Sequence, residues 1–152
     1  MLRLPPRLSP LWIEVAYGTP ELWTFWGNSL GDWERRSIRA GPAPVNLVLY
    51  GYYHGDRPEI LSVPLQNTLL ARTAQDTIRE IDIVNENSEL VTAIVPFLTP
   101  SGEGTRERCI ESIVLQTGEL PDLSNFFSRS SLPNLQHLHL TGRGSVGIHL
   151  TS

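Results

Sequence analysis

One phrase of apolar positions recurs four times along the chain: an apolar residue, two others, then apolar-x-apolar. The copies are PVNLVL (44–49), IREIDI (78–83), IESIVL (110–115) and LQHLHL (135–140). Each ends in alternation with period two, the mark of a strand with one buried face. Pro44 stands at the leading position of the first copy, which makes it the weakest match. The central positions Leu47, Ile81, Ile113 and Leu138 are 34, 32 and 25 residues apart, an irregular internal repeat. Strands are therefore predicted near 45–50, 79–84, 110–116 and 135–141.

Helical spacing fills the gaps between them. Leu61, Leu65 and Leu69 are four apart, with Ile60 and Leu70 widening the stripe, and Pro64 places a helix over 64–73. Leu90, Ile94 and Leu98 form a second stripe with Val91 and Val95 beside it. Asn87 or Ser88 can cap its start, and Pro96 should end or kink it. A short helix after Asp122 turns Leu123, Phe126 and Phe127 inward, and an N-terminal helix carries Leu11, Trp12, Val15 and Ala16. GDWERRSIRAG is a further helix, stopped by Gly41 and Pro42.

Strand, helix, strand, helix implies parallel strands joined by crossovers. The predicted class is α/β, with a parallel sheet of about four strands and helices on its convex side. Each unit is too small to bury its own apolar face, so stacking makes the core. The fourth unit, LPNLQHLHL, carries Leu132, Leu135, Leu138 and Leu140 in the L-x-x-L-x-x-L-x-L phrase of a leucine-rich repeat. The expected architecture is a leucine-rich-repeat-like solenoid fragment over 44–152, behind a helical cap over 1–43.

In such an array the residues beside the buried positions line the concave face. They are Asn46, Val48 and Tyr50; Glu80, Asp82 and Val84; Ser112, Val114 and Gln116; His137, His139 and Thr141. Tyr50, Glu80, Asp82, Gln116, His137, His139 and Thr141 are the candidate partner-binding residues among them. Either the face recognises a protein, or it is solvated or covered by further repeats.

Composition narrows the classes. Net charge is −4, and no basic run or basic helix face marks a nucleic-acid surface. No apolar run reaches the length of a membrane span, and prolines break the N-terminal MLRLPPRLSP before a signal-peptide core develops. Cys109 is the single cysteine, so no internal disulfide can form. These features predict an intracellular protein, cytoplasmic or nuclear, with no nucleic-acid or membrane partner. All twelve basic residues are Arg. The absence of Lys reads as compositional bias, or as avoidance of acceptor amines in a protein that works beside ubiquitin transfer.

Catalytic and cofactor chemistry finds little footing. Gly142, Gly144 and Gly147 spell G-x-G-x-x-G after a strand. A dinucleotide fold needs a helix and a later acid after that loop, and only five residues follow Gly147. A kinase-type hairpin or a P-loop needs a Lys that the chain lacks. The glycines are read as an exit turn, and no cofactor is expected. His137 and His139 share one face of a strand and could supply two metal ligands, with His149 near in sequence, but a solvent-facing contact role is favoured. A Cys109–His137 hydrolase lacks an orienting acid. Trp12, Trp23, Trp26 and Trp33 are expected to pack a cap onto the first repeat, with Trp26 able to stay exposed.

Several stretches resemble the fungal F-box protein family. WIEVAYGTPELWTFWGNSL (12–30) is similar to the end of an F-box, with Trp12 on its last helix and then Thr19, Pro20, Leu22 and Trp23. DWERRSIRAGPAPVNLVLYG resembles the segment that follows, through Trp33, Arg36, Ala40, Gly41, Leu47 and Leu49. FLTPSGEGTRERCIESIVLQ and FFSRSSLPNLQHLHL look like that family's repeats. The resemblance implies a non-catalytic substrate-recognition part of a cullin-type ubiquitin ligase adaptor, truncated at both ends. It also implies that most of the surface gripping a Skp-type adaptor is missing. A stand-alone repeat module, a non-functional truncated product, and more distantly a small nucleotide- or metal-dependent enzyme are the alternatives.

Overall fold

The computed structural model describes residues 10–27, 29–50, 61–85, 88–143 and 148–151. Its elements are α1 (Pro10–Tyr17), a 3-10 turn (Pro20–Trp23), β1 (Phe25–Trp26), a second 3-10 turn (Leu30–Asp32) and α2 (Trp33–Ala40). There follow β2 (Val45–Tyr50), α3 (Val63–Gln75), β3 (Ile78–Val84), α4 (Ser88–Leu98) and β4 (Arg106–Glu107). The last are β5 (Ser112–Gln116), α5 (Ser124–Ser128), β6 (Ser130–Ser131), β7 (His137–Thr141) and β8 (Ile148–Thr151). Five strands pair in parallel in the order β1-β2-β3-β5-β7, and β8 adds antiparallel to β7. The fold is α/β.

The four predicted strands are β2, β3, β5 and β7, and they are neighbours. Leu47 lies opposite Ile81, Ile81 opposite Ile113, and Ile113 opposite Leu138. Two residues on, Leu49, Ile83, Leu115 and Leu140 make a second row in the same register. Seven of these eight side chains are buried and Leu138 packs against them. Alternation therefore turns both rows toward the helices.

The two unpaired letters in the phrase also have a structural cause. Val45 pairs with Ile78 but Asn46 pairs with Glu80, so Arg79 is an extra residue at the strand entry. One extra residue restores the inward side after three steps rather than two, and Ile78 and Ile81 are both buried. The main chain continues this kink across the sheet: Glu111 N–H donates to Arg79 O and Gln136 N–H to Glu111 O, each at 2.7 Å. In β2 the leading apolar residue is Val45, not Pro44, because that strand lacks the extra residue.

Helix limits follow local chemistry. The Ser62 hydroxyl accepts from Leu65 N–H at the start of α3, and Asp76 closes that helix in the left-handed region at φ 54°. Gly41, at φ 56°, ends α2, a conformation glycine reaches without strain. α4 runs through Pro96 to Leu98, so of the two expected effects, an end or a kink, Pro96 does not end the helix. Pro96 lies so near the helix end that its missing N–H forfeits little more than one bond. α5 buries Phe126 and half-buries Leu123 and Phe127, as its pattern predicts.

The N-terminal segment departs from its expected packing. Trp23, Trp26 and Trp33 are buried, and their indole N–H groups donate to Ala16 O, Trp23 O and Gly27 O. Trp26, which the sequence allowed to be exposed, is wholly enclosed, because β1 pairs it opposite Leu47 in the sheet. Of the predicted inward residues of α1 only Ala16 is buried; Leu11, Trp12 and Val15 are exposed.

Three arginines, 36 residues apart at 36, 72 and 108, are buried ahead of β2, β3 and β5 respectively. Each lies over an aromatic ring, Trp23, Trp26 and Phe126 respectively, at 5.5–5.8 Å. Each also donates to a main-chain oxygen of an earlier element: Arg36 to Phe25 O, Arg72 to Ser37 O and Ala43 O, Arg108 to Leu98 O. A planar guanidinium can stack and donate in several directions at once, and an ammonium cannot. These three positions thus exclude Lys on physical grounds, whatever governs the other nine.

Arg72→Lys keeps the charge but loses the stacked fork and strands buried acceptors, so it should lower stability by about 2 kcal/mol. Arg35→Lys, at an exposed position, should stay within ~0.5 kcal/mol. Urea midpoints of the two variants measure the difference.

Candidate functional site

The face opposite the core is built by the same register. Its first row is Asn46, Glu80, Ser112 and His137; its second is Val48, Asp82, Val114 and His139; its third is Tyr50, Val84, Gln116 and Thr141. All twelve residues expected on this face fall into these rows. The sheet brings together all seven candidate binding residues. Phe25 joins the first row opposite Asn46 and is exposed. Nothing in the sequence marks it, since a two-residue strand has no readable period.

The face is not uniformly wet. His137 and Thr141 are exposed, Glu80, Gln116 and His139 are half-buried, and Asp82 and Val48 are buried. Asp82 sits between Val48 and Val114, its partners in register on β2 and β5. Tyr50 lies opposite Val84, and its hydroxyl reaches diagonally back to donate to Asp82 Oδ2. Asp82 Oδ1 is buried and accepts no hydrogen bond.

The acids shape each other. The bond to Asp82 pushes the Tyr50 phenol up to about 12, with desolvation and the charges of Asp82 and Glu80 adding to the rise. Burial pushes the Glu80 carboxyl up, and Asp82 and Glu111 push it the same way, while Arg79 and His137 pull it down. Arg79 Nε itself donates to Asn46 Oδ1 at 3.2 Å. Across β5 and β7 the polar groups link: His139 Nε2 lies 3.0 Å from Gln116 Nε2 and 2.7 Å from Thr141 Oγ1.

The other sequence candidates lie away from such an arrangement or belong to local structure. Among the described residues no three His, Cys, Asp or Glu side chains come together as a metal site. His149 lies opposite His139 in the β7–β8 ladder. The Cys109 thiol donates to Asp76 O and Ile78 O, and burial together with Asp76 raises its pKa. A thiol held protonated is a poor nucleophile. The strands on either side of the glycine motif, β7 and β8, pair antiparallel. Gly142 presses on the chain, since a Cβ there would meet Leu120 N at 2.7 Å. Gly144 and Gly147 lie outside the described residues. No described helix is long and apolar enough to cross a membrane.

No protein-family model, curated protein or solved structure matches this chain.

The Tyr50–Asp82 bond has a pH signature. A raised phenol pKa stabilises the fold below the ordinary Tyr value near 10, and that contribution disappears as pH rises through about 12. In Asp82→Asn the Tyr50 titration should move back toward about 10. Carbon-13 NMR of ring-labelled tyrosine, with Tyr50→Phe to assign the signal, reads the shift.

Proposed function

We propose that the chain is a non-catalytic protein-recognition module that binds its partner on the face of the parallel sheet turned away from the helices, here called the open face. In this reading the strands are units of a leucine-rich-repeat-like solenoid, and the module is the substrate-recognition part of an F-box type ubiquitin ligase adaptor. The observation that carries the recognition role is the face of the sheet turned away from the helices, where Phe25, Tyr50, His137 and Thr141 are exposed. Aligned rows of Tyr, Glu, Asp, Gln, His and Thr side chains spread over four parallel strands, a broad surface of mixed chemistry suited to a protein partner.

The repeat part draws support from the shared register and from the recurrent buried arginines at 36, 72 and 108. The F-box part rests on the resemblance of 12–49. It gains support from α1, whose Leu11, Trp12, Ile13, Val15 and Tyr17 are exposed. A helix with that much apolar surface is suited to pack against another body.

A photo-crosslinking amino acid at Ser112, in the centre of the open face, should give a discrete adduct in cell extract that excess unlabelled protein competes away. The same probe at Ala71, exposed on α3, should not. Equal labelling from both positions, or no competition at Ser112, would count against the open face as the binding surface.

A further inference from the structure

The register that orders the open face also gathers histidines at its far edge. On β7, Leu138 and Leu140 take the core side, so His137 and His139 share the open side. β8 pairs antiparallel with β7 and sets His149 opposite His139. Opposite residues of such a ladder lie on the same face. Their Cβ atoms are ~5 Å apart, and those of residues two along a strand or on the diagonal are ~7–8 Å apart. Three imidazoles rooted that close can converge on one ion. The side chains described outside β8 form no metal cluster; the third histidine comes from β8 and enters by its place in the ladder.

Access and surroundings suit a cation. His137 is exposed and His139 half-buried, so solvent reaches the pair. Glu111 adjoins, since its carbonyl accepts from His137 N–H, and Glu80 lies within electrostatic reach of both. Two carboxylates beside imidazoles favour a positive ligand over an anion. A metal-binding imidazole characteristically holds its second nitrogen in a hydrogen bond, which fixes the tautomer. Thr141 Oγ1 and the Gln116 amide lie 2.7 and 3.0 Å from His139 Nε2. His139 would then ligate through Nδ1.

We propose that His137, His139 and His149 form a binding site for a divalent transition-metal ion of the zinc class. Imidazole ligands suit zinc, copper and nickel, whereas magnesium and calcium take oxygen. Three protein ligands leave a fourth tetrahedral position for water or for a side chain of a bound partner. The site needs only the β7–β8 ladder and does not rest on the partner-binding reading. It also has a consequence for the fold. β8 is four residues long and ends the sheet. An ion held from both strands ties β8 to β7, and binding only the paired form stabilises it.

The probe is zinc alone, titrated into the full chain by calorimetry, with the histidine rings followed by long-range proton–nitrogen NMR. One ion should bind per chain, with a Kd in the micromolar range or tighter. The rings of His137, His139 and His149 should shift together, while His54, the remaining histidine, stays unchanged. Magnesium should not compete. His149→Gln and, separately, His137→Gln should each weaken binding about tenfold or more. Their amide spectra report folding, and if one variant unfolds the other decides. His54→Gln should bind as the parent chain does. Undiminished binding in His149→Gln, shifts confined to His137 and His139, two chains sharing one ion, or no saturable binding up to ~1 mM zinc would overturn the proposal.

Discussion

The structure depends on one constraint: parallel strands aligned so that equivalent positions of successive units lie side by side. Leu47, Ile81, Ile113 and Leu138 form a single row across the sheet. Because a strand alternates its side chains, committing that row to the helices commits its neighbours to the opposite side. A slip of one residue in any strand would send its leucines or isoleucines to water and its Asp, Glu or His into the core. Burial of the apolar rows thus holds the polar face in place with no direct bond between most of its members. The Tyr50–Asp82 pair, 32 residues apart in sequence, exists only because β2 and β3 are so aligned.

The connections between strands are held by different chemistry. Arg36, Arg72 and Arg108 tie each unit to main-chain oxygens of an earlier one and stack on a ring beside it. Main-chain oxygens left unpaired in a core are costly, and Ala43 O and Leu98 O lie at a turn and at the end of α4. Arg108 is the least satisfied of the three. Its Nε and Nη2 are buried without hydrogen bonds, and Asp76 lies 3.6 Å from Nε. Asp76 also accepts from Cys109 N–H while it closes α3. One residue thereby joins a helix end, a buried cation and the start of the next strand.

Much of this was legible in the sequence, and for identifiable reasons. Alternation within 45–50, 79–84, 110–116 and 135–141 gave the strands, and the phrase they share gave their neighbours and the direction of each side chain. The candidate residues on the open face follow from that alone. What escaped lay below the resolution of periodicity. β1 spans two residues and β8 four, too short for a pattern, so a sheet read as about four strands has five in parallel and a sixth antiparallel. Trp12 and Trp26 exchanged their expected environments because spacing alone does not reveal which tryptophan meets the sheet. The burial of Asp82 was equally hidden. Only the register places Val48 and Val114 beside it and brings the Tyr50 hydroxyl onto it.

The register itself is open to direct measurement. In protein labelled at the methyl groups of Ile, Leu and Val, cross-strand nuclear Overhauser contacts should connect Leu47 to Ile81, Ile81 to Ile113 and Ile113 to Leu138, and each of these to helix methyls such as Leu69 and Ile94. Val48 and Val114 should show no contacts to those helix methyls. Contacts from Val48 or Val114 to Leu69 or Ile94, or pairing of Ile81 with the open-face residues of β5, would contradict the alignment on which the core, the arginine ties and the polar face all rest.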